Sequence, residues 1–287
     1  MIFIKKAKAY ADLIKLAHTL FALPFALSAV ALAYIEGGKL HWQLLVLILI
    51  AFTAARSAAM GFNRVVDADI DILNPRTRQR PSVSGKISIK DTKIFTEISV
   101  VVFVIVAFCI NTLCGILSLP ALVVLLGYSY AKRFTFLAHY ILGVALALAP
   151  IGAWIAVMGN LDIRILTLGG CLFFSIAGFD LIYALQDMEF DKTHNLYSIP
   201  SIFGKKTTLC IAGLSFCISA CLLFVVGNVF NLNTYFYVSA TFISILYLIG
   251  FITILKAGMQ KVNLVFFYMN ASISAIIFVG IIANVKF

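Results

Sequence analysis

Nine apolar stretches follow one another along the chain, separated by polar segments that are mostly short. An α-helix needs about 17–25 apolar residues to cross a hydrocarbon core of roughly 30 Å. The pattern therefore predicts nine transmembrane helices, at residues of about 16–35, 43–62, 94–114, 115–131, 138–158, 163–186, 207–228, 233–255 and 262–285.

The composition supports this interpretation and excludes an ordinary soluble domain. Hydrophobic residues make up 62% of the 287 residues and charged residues only 12%, with a mean hydropathy of +1.05. Soluble domains contain roughly 45–50% apolar residues. No Pro/Ser-rich linker or soluble block of domain size interrupts the apolar stretches. We therefore predict an all-α integral membrane protein with a single polytopic domain over residues 1–287.

The basic residues indicate how the helices are oriented. A formal charge of +10 would suggest a nucleic-acid partner in a soluble protein, but here it is first a topology signal, and we expect no nucleic acid. Of the 22 Lys and Arg residues, 18 precede helix one or follow helices two, four, six and eight. Only Lys39, Arg164 and Lys286 fall on the opposite side, with Arg56 inside helix two. The positive-inside rule then predicts a cytoplasmic N-terminus, in the cytoplasmic (inner) membrane, and an external C-terminus.

The cationic start, the first apolar run and Ala31-Leu32-Ala33 also have the features of a secretory signal peptide. The polar stretch before that run extends through His18, which is long for such a signal. Without the first helix, the alternation of charge would also be lost. We therefore interpret the first apolar run as a membrane span.

The cysteines and histidines do not indicate a metal or disulfide framework. All six cysteines lie inside apolar stretches, and none forms a Cys-x-x-Cys pair. His18 and His139 have no metal-ligand spacing, and we interpret both as structural residues.

Carboxylates at helical spacing open the first long polar segment, at about residues 63–93. Asn63, Asp67 and Asp71 recur every four residues, so they share one face if helix two continues through them. Like charges at this spacing oppose each other by about 0.2–0.5 kcal/mol on an isolated helix. A bound divalent cation would relieve that repulsion, and we predict that these three residues bind one.

The second long polar segment, at about residues 187–206, also opens with carboxylates at helical spacing. Asp180, Asp187 and Asp191 lie at offsets of seven and four, with Tyr183 one turn from Asp180. Mg²⁺ is usually held by one or two carboxylates together with substrate phosphates. We therefore predict a magnesium-diphosphate site, with Asp67, Asp71, Asp187 and Asp191 as the catalytic carboxylates. The alternative is that these acids only solvate cytoplasmic helix ends.

Several cationic and polar residues accompany these motifs. The loop at 74–81 contains Arg76 and Arg80, whose forked donors suit phosphate oxygens, although topology or anionic lipid would also explain them. Tyr128 and Lys132, four positions apart at the end of helix four, are further candidates for contact with a diphosphate. We expect these residues, together with Asp180 and Tyr183, to contact the substrate.

Arg56 lies inside predicted helix two, seven positions before Asn63 and on the same helical face. An intramembrane arginine costs at least about 2.5–3.5 kcal/mol at the bilayer centre, so we expect it to face a polar cavity. There it would bind a substrate carboxylate or phosphate. The structural alternative is an ion pair with Asp180.

Taken together, the motifs resemble those of the UbiA superfamily of intramembrane aromatic prenyltransferases, over essentially the whole chain. That family has an Asn-(Asp)-x-x-Asp-x-x-x-Asp motif, an Arg-Pro-x-x-x-Gly loop and a second Asp-x-x-x-Asp motif. Here they read 63–71, 80–85 and 187–191, together with the Tyr-x-x-x-Lys at 128–132. Where many members have Asp after the Asn, this chain has Arg64. Other phrases resemble the 4-hydroxybenzoate polyprenyltransferase branch and its relatives in the futalosine route to menaquinone.

The resemblance implies a nine-helix bundle around a central cavity, open to membrane lipid and capped by the two aspartate loops. It also implies Mg²⁺-dependent transfer of a polyprenyl group from polyprenyl diphosphate to an aromatic acid, most simply 4-hydroxybenzoate, in ubiquinone or menaquinone biosynthesis. Prenylation of a dihydroxynaphthoate or of haem is the alternative within the superfamily. A CDP-alcohol phosphatidyltransferase would require an Asp-Gly pair upstream that is missing here. A membrane transporter is the alternative that is not an enzyme. Transporters usually place their binding site at the membrane midplane, whereas the acids of this chain are predicted to cluster at one membrane face.

Overall fold

The computed structural model describes residues 2–15, 19–257 and 262–285, and all regular elements among them are helices. His18, Lys261 and Lys286, which entered the sequence predictions, lie outside the described residues. Short 3₁₀ helices occupy Tyr128–Arg133 and Leu185–Asp187. The α-helices are α1 Ile2–Leu13, α2 Thr19–Ile35, α3 Trp42–Val66, α4 Ala68–Asp71, α5 Ile89–Ile110, α6 Thr112–Gly127, α7 Ala138–Met158, α8 Ile165–Ala184, α9 Met188–Thr193, α10 Ile199–Val229, α11 Thr234–Ala257 and α12 Val262–Ile282.

Seven of the described helical segments are long and apolar enough to cross a membrane. They begin at Trp42, Ile89, Thr112, Ala138, Ile165, Ile199 and Thr234. Two further apolar helices, Phe21–Ile35 and Phe267–Ile282, are shorter. The prediction of a multi-pass, all-helical membrane protein is therefore confirmed. The count of nine spans and the cytoplasmic N-terminus stay predictions.

The chain forms two units that are interleaved in sequence. The first comprises Met1–Thr19 and Trp42–Tyr130, and the second comprises Leu20–His41 and Ala131–Phe287. In the first unit α3 packs along α5, and α6 contacts both. The single membrane domain expected from the sequence stays a prediction.

Two helix boundaries in the first unit differ from the sequence prediction. The break between the third and fourth apolar stretches lies at Asn111, not near residue 114, because Asn111 is extended and its Oδ1 accepts the Cys114 N–H at 2.7 Å as an N-cap. The polar N-terminal stretch, for which no helix was predicted, forms α1, and α1 contacts α3.

Helix α8 is the centre of the second unit, where it packs against α7, α10 and α12. In its most apolar stretch 67% of the residues are buried, compared with 17% in α5. Close approach of helices in a membrane requires small residues, since lipid tails are as apolar as leucine. Gly178 is such a position, because a Cβ there would lie 2.7 Å from a ring atom of Phe216.

The segment between α7 and α8 is held by an ion cluster. Gly159, in the left-handed region with φ of 70°, ends α7. Arg164 then donates to Asp162 at 2.7 Å and to Glu36 at 2.8 Å, and its guanidinium lies 5.2 Å from the Phe230 ring centroid. Hydrogen bonds from Arg164 hold the pKa of Asp162 below its usual range. Arg164 is therefore a structural cation that joins two connecting segments of the second unit.

We expect Gly178→Val to destabilise the second unit by about 1–3 kcal/mol, because the added methyl groups overpack the contact with α10. Thermal unfolding in detergent measures the loss. Gly152→Ala is the matched control, because a Cβ at Gly152 meets no atom within 4 Å. An equal loss in both variants would contradict the packing argument.

Candidate active site

The first acid cluster, defined as Asn63, Asp67 and Asp71, lies where α3 ends. The backbone of Asp67 leaves α-helical geometry, with φ −89° and ψ 3°. The hydrogen bonds nevertheless keep a four-residue spacing, since Asp67 N–H donates to Asn63 O at 2.9 Å and Asp71 N–H to Asp67 O at 2.7 Å. The Asn63 Nδ2 also donates to Asp67 Oδ2 at 2.7 Å. The sequence prediction assumed that the helix continues through Asn63, Asp67 and Asp71. The backbone hydrogen bonds do continue through these residues.

The environment of Asp67 disfavours its charged form. Burial, followed by the negative charge of Asp71, raises the pKa of Asp67 to about 6. The positive charges of Arg80 and Arg64 and the hydrogen bond from Asn63 act in the opposite direction. A further cation beside Asp67 would favour the carboxylate.

Asp71 has a permanent cationic partner in Arg80. The Arg80 NH1 donates to both carboxylate oxygens of Asp71, at 2.6 and 2.7 Å. Asp71 is buried, with 6% of its side chain exposed, whereas Arg80 is 22% exposed. The loop between them is ordered by Thr77, whose hydroxyl donates to Asp71 O at 3.1 Å. Arg80 therefore binds a carboxylate of the first acid cluster directly, and its expected contact with phosphate stays a prediction.

Arg76 occupies a different setting from Arg80. Its side chain is exposed, and its backbone N–H donates to Asn74 Oδ1 at 2.9 Å. Asn74 also accepts backbone N–H groups from Thr77 and Arg78 through its carbonyl, at 3.0 Å each. The cationic loop is thus a folded turn and not an extended linker, and Arg76 stays a candidate for phosphate contact.

Two arginines of α3 hold the C-terminal end of α1. Arg56 NH2 donates to Lys15 O at 3.2 Å, and Arg64 Nε donates to Leu13 O at 3.2 Å. Arg64 is only 4% exposed, and its NH1 also donates to Asn63 Oδ1 at 3.1 Å. Sequence reasoning treated Arg64 only as a departure from the family pattern. The position of Arg64 in the sequence, next to Asn63 and eight residues after Arg56, could have indicated that it belongs to the site.

Tyr128 and Lys132 have separate partners. The Tyr128 hydroxyl lies 4.0 Å from Met60 Sδ within the first unit. Lys132 belongs to the second unit, where its Nζ lies 3.3 Å from Asp191 Oδ2. The chain between them is a 3₁₀ helix, with about three residues per turn, so a spacing of four does not place them on one face.

The second acid cluster, defined as Asp187 and Asp191, flanks the start of α9. Both carboxylates are buried, with residue exposures of 5% and 2%. Lys132 binds this region twice, because its Nζ pairs with Asp191 and its carbonyl accepts the Tyr197 N–H at 2.7 Å. Lys132 is thus the cationic partner of the second acid cluster, just as Arg80 is the cationic partner of the first.

Asp180 is paired with a residue that the sequence did not suggest as a partner. His139 Nδ1 lies 2.8 Å from Asp180 Oδ2, and His139 is completely buried. Asp180 thus has a histidine partner within the second unit, and Arg56 donates to a backbone carbonyl within the first unit. Tyr183 is half-buried, and its carbonyl accepts from Gln186 Nε2 at 3.2 Å.

The 3₁₀ turn at Leu185–Asp187 changes the register between Asp180 and the second acid cluster. A 3₁₀ helix advances about 120° per residue, compared with about 100° in an α-helix. Asp187 and Asp191 keep their four-residue spacing across the start of α9. We expected Asp180, Asp187 and Asp191 to share one helical face. The 3₁₀ turn instead rotates Asp187 and Asp191 away from the face that carries Asp180.

The donor chemistry of both clusters fits magnesium. Each supplies two carboxylates, which are the hard oxygen ligands that Mg²⁺ prefers. Among the described residues no group of three or more His, Cys, Asp or Glu is close enough to hold a metal alone.

An apolar groove of about 420 Å³ runs along α3 and α5 in the first unit. It lies on the part of α3 that precedes Asn63 in sequence, and six of its nine lining residues are aliphatic. Such a groove suits a hydrocarbon chain. The residues that line it are Val46, Leu49, Ile50, Thr53, Ala54, Ser57, Ile98, Ser99 and Val102.

Comparison with known proteins agrees with these features. The profile of the UbiA prenyltransferase family matches residues 22–273. The 4-hydroxybenzoate octaprenyltransferase of Vesicomyosocius okutanii subsp. Calyptogena okutanii (strain HA) is 26% identical over 243 residues, covering 85% of this chain and 88% of the relative. The enzyme of the same name from Francisella tularensis subsp. novicida (strain U112) is 29% identical over 237 residues, covering 82% of each chain.

Solved structures show the same fold. A UbiA homologue from Aeropyrum pernix K1, in its apo form, superposes with a TM-score of 0.84 at 28% identity, over 93% of this chain and 98% of that one. A UbiA homologue from Archaeoglobus fulgidus, bound to GPP and Mg²⁺, has a TM-score of 0.73 at 23% identity, over 96% and 99% of the two chains. At that identity the second likeness shows the fold alone.

We expect Arg80→Gln to loosen the segment 72–87, because the buried Asp71 carboxylate would lose the one ion-pair partner it has among the described residues. Breaking a buried pair by removing one member costs about 3–5 kcal/mol, and the partial exposure of Arg80 places this case at or below the lower end. Limited proteolysis in detergent would show faster cleavage within 72–87. Lys86→Gln, an exposed cation of the same loop, should cleave like wild type.

Proposed function

Because the chain belongs to the UbiA prenyltransferase family, we propose that it transfers a polyprenyl group from polyprenyl diphosphate to an aromatic acid, with 4-hydroxybenzoate as the acceptor. In this reaction the allylic C–O bond to diphosphate breaks, a C–C bond to the ring forms, and the ring loses a proton. The observation that carries the proposal is the repeated construction of the two acid clusters: a pair of carboxylates, largely buried, with a basic side chain on one member. The two relatives named as 4-hydroxybenzoate octaprenyltransferases support the choice of acceptor.

We propose that Asp67, Asp71, Asp187 and Asp191 hold Mg²⁺ together with the diphosphate, and that Arg76, Arg80, Tyr128 and Lys132 contact its oxygens. When bound, Mg²⁺ neutralises negative charge on the diphosphate as it leaves. Arg80 has three N–H donors beyond the NH1 nitrogen that binds Asp71, so it can bind the carboxylate and a phosphate together. Lys132, which is 36% exposed, can likewise contact both Asp191 and a phosphate.

The chain's own residues contribute by position and charge. Buried carboxylates fix the diphosphate end, and cations at each acid cluster stabilise charge as it develops on the leaving group. The apolar groove of α3 and α5 is proposed to hold the prenyl chain. Asp180, oriented by His139, and Tyr183 are proposed to contact the substrate as well.

Arg56 is proposed to bind the carboxylate of the aromatic acceptor. Its NH2 is used by the Lys15 carbonyl, but its Nε is buried and has no hydrogen-bond partner among the described residues. A buried donor left unsatisfied costs about 1–3 kcal/mol. A carboxylate accepts from a guanidinium by two parallel hydrogen bonds, which would satisfy this nitrogen.

The proposal places the protein in respiratory quinone biosynthesis, in the cytoplasmic membrane, with the active site facing the cytoplasm. Both proposed substrates fit that place, since a polyprenyl diphosphate partitions into the bilayer and a small aromatic acid is water-soluble. The distribution of Lys and Arg along the chain supports this orientation.

We expect Asp67→Asn and Asp191→Asn each to reduce prenyl transfer by about 100-fold or more, because each removes charge that holds the metal and diphosphate. The assay uses purified protein in lipid, a radiolabelled prenyl diphosphate, Mg²⁺ and either 4-hydroxybenzoate or a dihydroxynaphthoate. The labelled product identifies the acceptor.

Each variant has a matched control inside its own motif. Asp69→Asn and Glu189→Gln remove exposed acids that lie off the proposed face, and they should retain nearly full activity. No Mg²⁺-dependent product with either acceptor from folded wild-type protein would refute the proposal. Equal losses in the controls would refute the assignment of the carboxylates.

We expect Arg56→Gln to raise the KM for 4-hydroxybenzoate by about 10- to 100-fold, which corresponds to a lost hydrogen bond to a charged group. The KM for prenyl diphosphate should change little. The uncharged amide 4-hydroxybenzamide should lose this dependence on Arg56. A rise in the KM for prenyl diphosphate instead would show that Arg56 binds the phosphates.

A further inference from the structure

Arg64 stands where many members of the superfamily have an acid, and it bridges two parts of the first unit. Its Nε donates to Leu13 O at the end of α1, and its NH1 donates to Asn63 Oδ1. A single buried guanidinium thus joins the N-terminal helix to the first acid cluster. Burial of this cation is costly unless its donors are used, so the two contacts are constraints on the fold.

The two neighbours of Asn63 determine which way its amide faces. Arginine has donors only, so the atom that faces Arg64 must be the amide oxygen. A carboxylate accepts, so the atom that faces Asp67 must be the amide nitrogen. Both neighbours require the same orientation, and the Asn63 oxygen is therefore turned toward Arg64 while the nitrogen holds Asp67 Oδ2.

We infer that Arg64 is a positioning residue, which fixes the Asn63 amide so that this amide orients Asp67, and which links that orientation to the docking of α1. In this arrangement Asn63 supports a metal ligand and is not itself a ligand, in contrast to the expectation from the motif. The inference rests on the proposed function only in that Asp67 holds the metal. The coupling of Arg64 to α1 does not depend on it.

Two physical effects of Arg64 on a bound cation have opposite signs, and this makes the inference testable. If Arg64 acted only through its charge, its removal would strengthen cation binding, because a nearby positive charge repels the metal. If Arg64 acts by positioning, its removal weakens cation binding, because Asp67 loses its orientation. A lysine at position 64 keeps the charge but not the planar fork that spans two acceptors.

The first measurement is hydrogen exchange of the α1 backbone in metal-free protein in detergent. We expect Arg64→Lys and Arg64→Gln to speed the exchange of α1 by about 10-fold or more, since a hydrogen bond from a charged group is lost. Lys93→Gln, an exposed cation on α5, is the control and should exchange like wild type. Unchanged α1 exchange in both Arg64 variants would overturn the coupling to α1.

The second measurement is Mn²⁺ binding, followed by electron paramagnetic resonance of free Mn²⁺ with farnesyl thiodiphosphate present. We expect both Arg64 variants to weaken Mn²⁺ binding by about 10- to 100-fold, as for other residues that orient metal ligands. Tighter binding in Arg64→Gln, or binding by Arg64→Lys equal to that of wild type, would overturn the positioning role.

Asn63→Asp separates orientation from ligation. A carboxylate at position 63 still accepts from Arg64, so α1 should remain protected from exchange, but it cannot donate to Asp67. We therefore expect weaker Mn²⁺ binding with unchanged exchange of α1. Equal or tighter binding would show that position 63 supplies a metal ligand. Because neither readout requires turnover, a wild-type protein that transfers no prenyl group would refute the proposed function while leaving these results to decide the role of Arg64.

Discussion

Buried carboxylates at the ends of apolar helices are the constraint on which the rest of this structure depends. Removing a carboxylate from water is unfavourable unless a cation or hydrogen-bond donor compensates it. The protein supplies part of that compensation itself, through Arg80 at Asp71 and Lys132 at Asp191. Among the described residues, the side chain of Asp67 accepts a hydrogen bond from the Asn63 amide alone, and burial raises the pKa of Asp67 to about 6. The two acid clusters are thus partly neutralised, and the divalent ion and diphosphate that we propose would complete the neutralisation.

The basic residues of the helical segments serve this constraint in different ways. Arg80 and Lys132 bind carboxylates directly, whereas Arg56 and Arg64 use their donors on backbone carbonyls at the end of α1. Arginine suits the second task because its planar group reaches two acceptors at once. In consequence α1, a short helix that is marginal on its own, becomes part of the framework of the first acid cluster. Arg164 has a comparable structural task in the second unit, where it joins Glu36 to Asp162.

Much of the fold could be predicted because a membrane removes alternatives. Backbone groups in lipid must be satisfied within a helix, so apolar length alone predicts helices, and α3, α7, α8 and α11 lie close to the predicted positions. Boundaries were less accurate where a single side chain decides them, as at Asn111, which caps α6. Helix α1 was not predicted, because its sequence lacks the long apolar run from which the other helices were predicted. The pairing of His139 with Asp180 also escaped notice, since these residues are 41 positions apart.

The sequence by itself determined the class of protein, the carboxylate motifs and the family resemblance, because hydropathy and short helical spacings are local properties. Only the tertiary structure decided which charge each acid meets, because such pairs join residues that are distant in sequence. It paired Lys132 with Asp191, 59 positions away, and Arg64 with the carbonyl of Leu13, 51 positions away. It also oriented the Asn63 amide, whose oxygen accepts from Arg64 and whose nitrogen donates to Asp67.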